Sequence, residues 1–252
     1  MSQLFTGTAN KCAFRSDDTN GTRLYLRVDD SQATNIRLRG YESISDQSAL
    51  DGDTNTNPFP TNVKQSGGMY AIRLNRPWWL YSDSRAFYFI SLNTAGSSSC
   101  SIFFGDIVHY AVTDQYGCGL IAATAGAPNE SSLLNLNSGT GSRLARNYSG
   151  SSLSINGNRY SNSKSSSLGT GGMAYPSIIS GQFHAWPVEI WDTTVAARGL
   201  MPGLWNPIHA GDIANGTIID GVPALSGRTL VVQLLASLSG YACAFDITGP
   251  WR

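Results

Sequence analysis

Thr22-Arg23-Leu24-Tyr25-Leu26-Arg27-Val28, followed after a turn by Asn35-Ile36-Arg37-Leu38-Arg39, decides the fold class. In the first segment Leu24, Leu26 and Val28 share one side of a two-residue period, and Arg23, Tyr25 and Arg27 share the other. Successive side chains of a strand point to opposite faces, whereas helical apolar positions recur about every 3.6 residues. The segment therefore reads as a half-buried β-strand. Ile36 and Leu38 alternate with Arg37 and Arg39 in the same way. Between them, Asp29-Asp30-Ser31-Gln32 is a turn-forming cluster, because short polar side chains hydrogen-bond the nearby backbone. The two segments predict an antiparallel hairpin.

Working outward, further short stretches rich in aromatic or branched residues and bounded by Gly, Asn, Asp or Ser read as strands: residues 69–74, 78–81, 87–92, 107–112 and 119–123. Residues 183–191, 213–219, 230–235 and 242–247 continue the pattern. Phe87-Phe89-Ile90 with Tyr88 is apolar on both faces, which predicts a central strand covered on both sides. The one helical turn is predicted at residues 194–198, capped by Asp192-Thr193 and ended by Gly199 and Pro202. Residues 45–64, with Asp51-Gly52-Asp53 and Pro58-Phe59-Pro60, break both helix and strand and read as a long ordered loop. The expected fold is all-β, a sandwich or barrel-like arrangement with long Ser/Gly/Asn-rich loops and little helix.

The 252 residues suffice for a substantial core without metal or disulfide staples. Lys and Arg number 17 and so do Asp and Glu, and only 13% of the chain is charged. Zero net charge speaks against a general nucleic-acid surface, which rests on an excess of cations. In place of charge stand 32 Ser, 18 Thr, 17 Asn and 27 Gly, a mixture that makes turns and strands rather than exposed helices. Between residues 149 and 172, 17 of 24 residues are Ser, Gly or Asn, which reads as an exposed loop, an arm or a linker between halves. The domain reading is a β-rich half at 1–128, a loop or arm at 129–172, and a second β-rich half at 173–252, joined to the first as one domain or standing apart.

Met1-Ser2-Gln3-Leu4-Phe5-Thr6-Gly7 lacks the basic start and apolar run of a secretion signal, so cytoplasmic synthesis is expected. The most apolar segment, residues 230–238, is too short to span a membrane and contains Gln233. Cys12, Cys100, Cys118 and Cys243 form no Cys-x-x-Cys pair and read as buried or half-buried thiols.

Chemistry is weakly signalled. No Gly-x-Ser-x-Gly elbow exists, and His109 and His184, set among apolar neighbours, read as hydrogen-bonded structural residues, while His209 lacks a triad context. Asp51-Gly52-Asp53-Thr54-Asn55-Thr56-Asn57 spaces oxygen ligands like a calcium loop, but an EF-hand needs Gly and Glu where Thr56 and Asn62 stand. An Asx-rich turn explains the run without an ion. Neither phosphate-binding glycine motif occurs. Arg23, Arg27, Arg37 and Arg39 form a basic stripe on the hairpin, either a solvated face or a contact for an acidic partner or neighbouring subunit. Trp78, Trp79, Trp186, Trp191, Trp205 and Trp251 are core residues or, where exposed, stacking platforms for host-surface glycans. The sequence thus predicts no catalytic, cofactor-binding or metal-ligating residue.

Several motifs occur in a fixed order: Phe5-Thr6-Gly7-Thr8-Ala9-Asn10-Lys11, Leu24-Tyr25-Leu26-Arg27-Val28-Asp29-Asp30, Gly40-Tyr41-Glu42, Pro58-Phe59-Pro60, Ser66-Gly67-Gly68 and Phe104-Gly105-Asp106. Tyr175-Pro176, Leu200-Met201-Pro202-Gly203-Leu204-Trp205 and Phe245-Asp246-Ile247-Thr248-Gly249-Pro250-Trp251-Arg252 complete the series. Across nearly its whole length the chain resembles structural proteins encoded in the virion gene blocks of tailed bacteriophages and prophages. The resemblance implies a non-enzymatic virion component in the tail, tail tip, baseplate or neck, with copies of itself and other virion proteins as partners and no cofactor. A capsid decoration protein and a receptor-binding, lectin-like module are the alternatives.

Overall fold

The computed structural model describes residues 2–6, 11–15, 25–29, 37–41, 58–59, 78–92, 99–111, 113–114, 116–121, 142–150, 153–160, 175–177, 180–192, 196–209, 213–234 and 242–251. These residues form an all-β sandwich whose only helical element is a 3-10 turn at Pro223–Leu225.

The opening hairpin is present. Strand β3 (Tyr25–Asp29) pairs antiparallel with β4 (Arg37–Tyr41), and Leu26 is buried as its place in the alternation requires. They lie within a five-stranded antiparallel sheet in chain order, with β1 (Ser2–Thr6), β2 (Lys11–Arg15) and the two-residue β5 (Pro58–Phe59). β5 sits in the segment read as a loop, and the rest of residues 45–64 lies outside the described residues.

The remaining strands make one twelve-stranded sheet. Its first part comprises β6 (Trp78–Ser82), β7 (Ala86–Leu92), β8 (Ser99–Asp106), β9 (Val108–His109), β10 (Cys118–Ile121), β11 (Ser142–Arg146) and β12 (Leu153–Tyr160). Its second part comprises β13 (Ala185–Asp192), β14 (Ala196–Pro207), β15 (Ile218–Val222), β16 (Arg228–Leu234) and β17 (Ala242–Asp246). The order is β15-β16-β17-β14-β13-β12-β11-β10-β8-β7-β6, with β9 attached to β14.

Within 129–172, read as a loop or arm, the described residues 142–146 and 153–160 are strands, and residues 129–141, 151–152 and 161–172 lie outside the described residues. β11 and β12 pair with each other, with β10 on one side and β13 on the other, and so carry the ladder from one half of the chain into the next. Ladder bonds come from the backbone, so a strand needs little apolar side-chain content if its neighbours supply the core. The sign was there in the alternation Leu153-Ser154-Ile155-Asn156, diluted by the Ser and Gly around it. The helical turn at 194–198 is also corrected, because Ala196–Pro207 is a strand paired through Ala196, Ala197, Gly199 and Leu200 with β13. Of the other expected strands, residues 69–74 lie outside the described residues.

The sheet folds back so that its two parts face each other. Tyr88 on β7 meets Phe245 on β17 at a ring separation of 5.2 Å and Trp251 at 5.4 Å, and its hydroxyl donates to the Pro202 carbonyl on β14 at 2.8 Å. Tyr81 on β6 stacks on Phe245 at 4.7 Å. Around these rings Ala86, Ile90, Phe103, Val188, Ile190, Met201, Leu204 and Val231 close the inner core. Aromatic pairs in such geometry contribute about 0.5–1.5 kcal/mol each beyond the area they bury. A second apolar cluster, built on Phe183, Ile213, Leu230, Val232 and Ala244, covers the outer face of β15 to β17.

β7 is not the doubly covered strand that its composition predicts. Ala86, Tyr88 and Ile90 face the inner core, while Phe87 and Phe89 are half-buried on the outside. β8 takes that place, with Ile102, Phe103 and Phe104 all buried, because it lies between β7 and β10 whereas β7 is next to the sheet's end.

The chain's last residues lock the two layers. Asp83 turns the β6–β7 hairpin by accepting from the backbone N–H groups of Arg85 and Ala86 at 2.7 and 3.0 Å, and its second oxygen accepts from the Trp251 N–H at 3.2 Å. The Trp251 indole donates to the Asp246 carbonyl at 2.9 Å. It packs on Gly203, whose φ of 64° and lack of Cβ leave room for the ring.

Candidate functional site

A polar cluster lies where β9 meets β14. The Asp114 carboxylate, on the turn between β9 and β10, is fully buried and receives a two-point fork from Arg198 on β14: Nε to Oδ2 at 2.6 Å and Nη2 to Oδ1 at 2.9 Å. This is the planar match between guanidinium and carboxylate. Arg198 also donates through Nη1 to the Arg146 carbonyl at 3.1 Å and lies over the Tyr148 ring at 5.9 Å. The Tyr116 N–H donates to Asp114 at 3.1 Å, and Arg146 lies over the Tyr116 ring at 5.7 Å.

His109 completes the cluster. Its Nε2 is 3.1 Å from Asp106 at the end of β8, and its Nδ1 is 3.4 Å from Asp114. A Cβ on Gly117 would land on the imidazole, so the glycine makes the slot that the ring occupies. Burial alone would lower the imidazole pKa; the hydrogen bonds and charges of Asp106 and Asp114 outweigh it and push it up to about 9. Burial alone would likewise raise the Asp114 carboxyl, but hydrogen bonds from His109, Arg198 and the Tyr116 N–H, with the Arg198 charge, hold it well below the usual carboxylate range. Two carboxylates and two cations therefore neutralise one another. Asp114 faces its own partners and has no exposed surface with which to exchange a proton with a substrate, so the arrangement works as a clamp between β9, the following turn and β14.

Beside it, the Tyr110 hydroxyl donates to Glu189 at 2.5 Å, and the Trp191 indole donates to the other Glu189 oxygen at 3.1 Å. Burial, then the hydrogen bond and charge of Glu189, push the Tyr110 pKa up to about 12.

The other two histidines lie together, His184 just before β13 and His209 just after β14. Ser180 Oγ shares a 2.7 Å hydrogen bond with His184 Nε2, and the His184 backbone N–H donates to His209 Nε2 at 2.7 Å. His209 is buried and stacks on Phe183 at 5.3 Å. The two imidazoles lie 5.8 Å apart, and it is the His184 backbone, not its ring, that bonds His209. Among the described residues no group of three or more His, Cys, Asp or Glu is arranged to hold a metal ion.

The tryptophans divide between core and surface. Trp251 is buried, Trp79 packs on the inner core and Trp205 on the outer cluster. Trp78 and Trp186 are 57% and 54% exposed, and Trp78 stacks on Phe89 at 5.8 Å. Leu80, two residues along β6, is also exposed.

Of the arginine stripe, the β3–β4 register sets Arg27 opposite Arg39 and Asp29 opposite Arg37, while Arg23 lies outside the described residues. Residues 51–57 also lie outside them. Cys12 is half-buried and Cys243 buried, neither in a disulfide, and burial pushes the Cys12 thiol up.

The Asp114–Arg198 pair is invisible to local reading because its members are 84 residues apart. One signal points to it: Arg198 is the lone charge in the apolar run Ala196-Ala197-Arg198-Gly199-Leu200-Met201, and a charge so placed must be paired if buried. No protein-family model matches the sequence, and no curated protein matches it either.

Proposed function

We propose that this chain is a non-enzymatic structural component of a tailed-phage virion, in the tail, the tail tip or baseplate, or the neck, assembled as a symmetric homo-oligomer. The observation that carries the reading is the open sandwich. Its sheet ends at β6 and at β15, each with one strand partner among the described residues. Both ends turn apolar side chains outward, Trp78 and Leu80 on β6 and Ile218 on β15.

An unpaired edge offers its N–H and C=O groups to any other strand, and proteins that work alone blunt it with charge, proline or a bulge. β6, Trp78-Trp79-Leu80-Tyr81-Ser82, carries no charge and no proline. Neighbouring copies in a closed assembly cover such edges. The collinear motifs by which the chain resembles virion proteins, and its low charge, support the same reading.

The test separates filled heads from detached tails on a gradient and quantifies this chain by mass spectrometry against the major capsid protein. Low copy number travelling with tails is the expected result. High copy number on heads would make it a decoration protein, and absence from both fractions would refute a virion role. The exposure of Trp78 and Trp186 favours one second reading, a lectin-like module whose indoles stack on host-surface sugars. Glycan-dependent quenching of tryptophan fluorescence, lost in Trp78→Ala or Trp186→Ala, would support it.

A further inference from the structure

We infer that two copies of this chain join β6 to β6, antiparallel and about a two-fold axis normal to the sheet, with Leu80 directly opposite Leu80 of the partner subunit. The inference rests on the homo-oligomer reading and names its contact. It begins from the direction of the backbone groups. The Asp83 N–H donates to the Ala86 carbonyl at 3.0 Å, which closes the β6–β7 turn with a hydrogen-bonded pair. Bonded and non-bonded pairs alternate along an antiparallel ladder, so Tyr81 with Tyr88 and Trp79 with Ile90 are the next bonded pairs. The N–H and C=O groups of Trp78, Leu80 and Ser82 therefore point away from β7, and among the described residues no strand lies on that side.

The two ends of the sheet differ in what they admit. β15 is blunted: Asp220 is exposed on it, and one extra residue against β16 makes a bulge at Gly221, where φ is 59°. β6 runs against β7 without a register shift and carries no charge. A second β6 is thus the strand this edge fits, since a β15 laid along it would bring the bulge and the Asp220 carboxylate into the ladder.

One register uses every outward group. With the axis through Leu80, Trp78 meets the partner's Ser82 and Leu80 meets its own copy, all as bonded pairs. Moving the axis to Trp79 or to Tyr81 leaves Ser82 or Trp78 beyond the end of the facing strand. The side chains fit the same register. On the outer face the Trp78 indole, stacked on Phe89 at 5.8 Å, comes beside a serine instead of a second indole, and the two Leu80 side chains touch. On the other face Trp79 comes opposite Tyr81 of the partner subunit, an aromatic cross-strand pair. Trp78 and Leu80, 57% and 52% exposed in one copy, lose water in the pair. Five residues a side is a small part of the roughly 20–30 of a standard interface, so the contact is weak by itself and is read across a concentration series.

The experiment is sedimentation velocity on the full chain and on Leu80→Lys and Leu80→Glu, changes at a half-exposed side chain that should leave urea unfolding as in wild type. Each variant alone sets like charges against each other across the axis, so self-association should weaken by about tenfold or more. An equimolar mixture of the two should restore it, because an ammonium then faces a carboxylate. Association indifferent to both charges would overturn the proposal and leave a homo-oligomer built on another contact. So would weakening that the mixture does not relieve, since residue 80 would then not face itself. Association strengthened by Leu80→Lys alone would overturn it in favour of head-to-tail pairing with β15 and its Asp220. A wild-type chain that stays monomeric throughout would overturn the pairing and the homo-oligomer reading together.

Discussion

In the middle of the sandwich Tyr88 holds the rings of Phe103, Phe245 and Trp251 within 5.0 to 5.4 Å, whereas at the rim Asp114 meets Arg198 and His109 at 2.6 and 3.4 Å. Both sets of contacts tie the first part of the sheet to β14 or β17. Ring packing is non-directional and carries no charge, so its strength follows the volume filled. The rim depends on every member being present and in the right protonation state, because a charge left alone in a buried site is strongly penalised. Phe245→Ala should cost the most, about 4 kcal/mol, through the cavity it leaves between β6, β7 and β16. Urea unfolding should show that loss unchanged between mildly acidic and mildly alkaline buffers.

Arg198→Met should cost about 3 kcal/mol by stranding the Asp114 carboxylate. Adding Asp114→Asn should recover part of the loss, since the stranded charge is then gone. A double variant as unstable as the sum of the singles would show that the two residues act through separate contacts, and the comparison with the aromatic core would lose its basis.

His109 sharpens the contrast through pH. Its folded pKa of about 9 lies above the ordinary 6.5, so the folded state binds the proton more tightly. Its contribution is complete below about 6.5 and fades as pH rises through about 9. Asp114 has the opposite sign: its contribution is complete above 3.8 and is lost as pH falls towards its depressed folded value. The rim is at full strength between 3.8 and 6.5, a window taken from these two groups alone. In His109→Gln the alkaline decline of unfolding free energy should flatten. The effect is smaller than that of Arg198→Met because the imidazole side chain is 20% exposed and partly screened.

The same contrast explains what was legible in the sequence. Hydrophobic periodicity is local, so β4, β6, β16 and β17 could be read within a residue or two of their ends, and β3 within three. β8 was harder: its buried Ile102-Phe103-Phe104 has no alternation, because both faces are covered. β12 hid in a Ser/Asn/Gly-rich composition, and β14 behind Pro202 and Gly203, where its register with β13 shifts between Pro187 and Glu189. The rim cluster is a product of topology, assembled from β8, the turn after β9, β11 and β14, and no window of sequence holds its members together. His109 and His184 could be read as hydrogen-bonded residues, but not the partners that make one a clamp and the other a neighbour of Ser180.

The smallest effect on the isolated chain belongs to contacts of a third kind, apolar side chains that face water. Trp78→Thr with Leu80→Thr puts strand-favouring β-branched residues on β6 and removes side chains that are more than half exposed, so the folding stability should change by about 1 kcal/mol or less, part of it the Trp78 stack on Phe89. Sedimentation velocity should nevertheless show weakened self-association, because apolar area exposed in one copy becomes core only between copies. Loss of association with stability kept would place the stabilising role of β6 between subunits, in contrast to Phe245, which acts within one. Unchanged association would mean that the β6 edge is not the contact, and the open end of the sheet would no longer support assembly into a homo-oligomer.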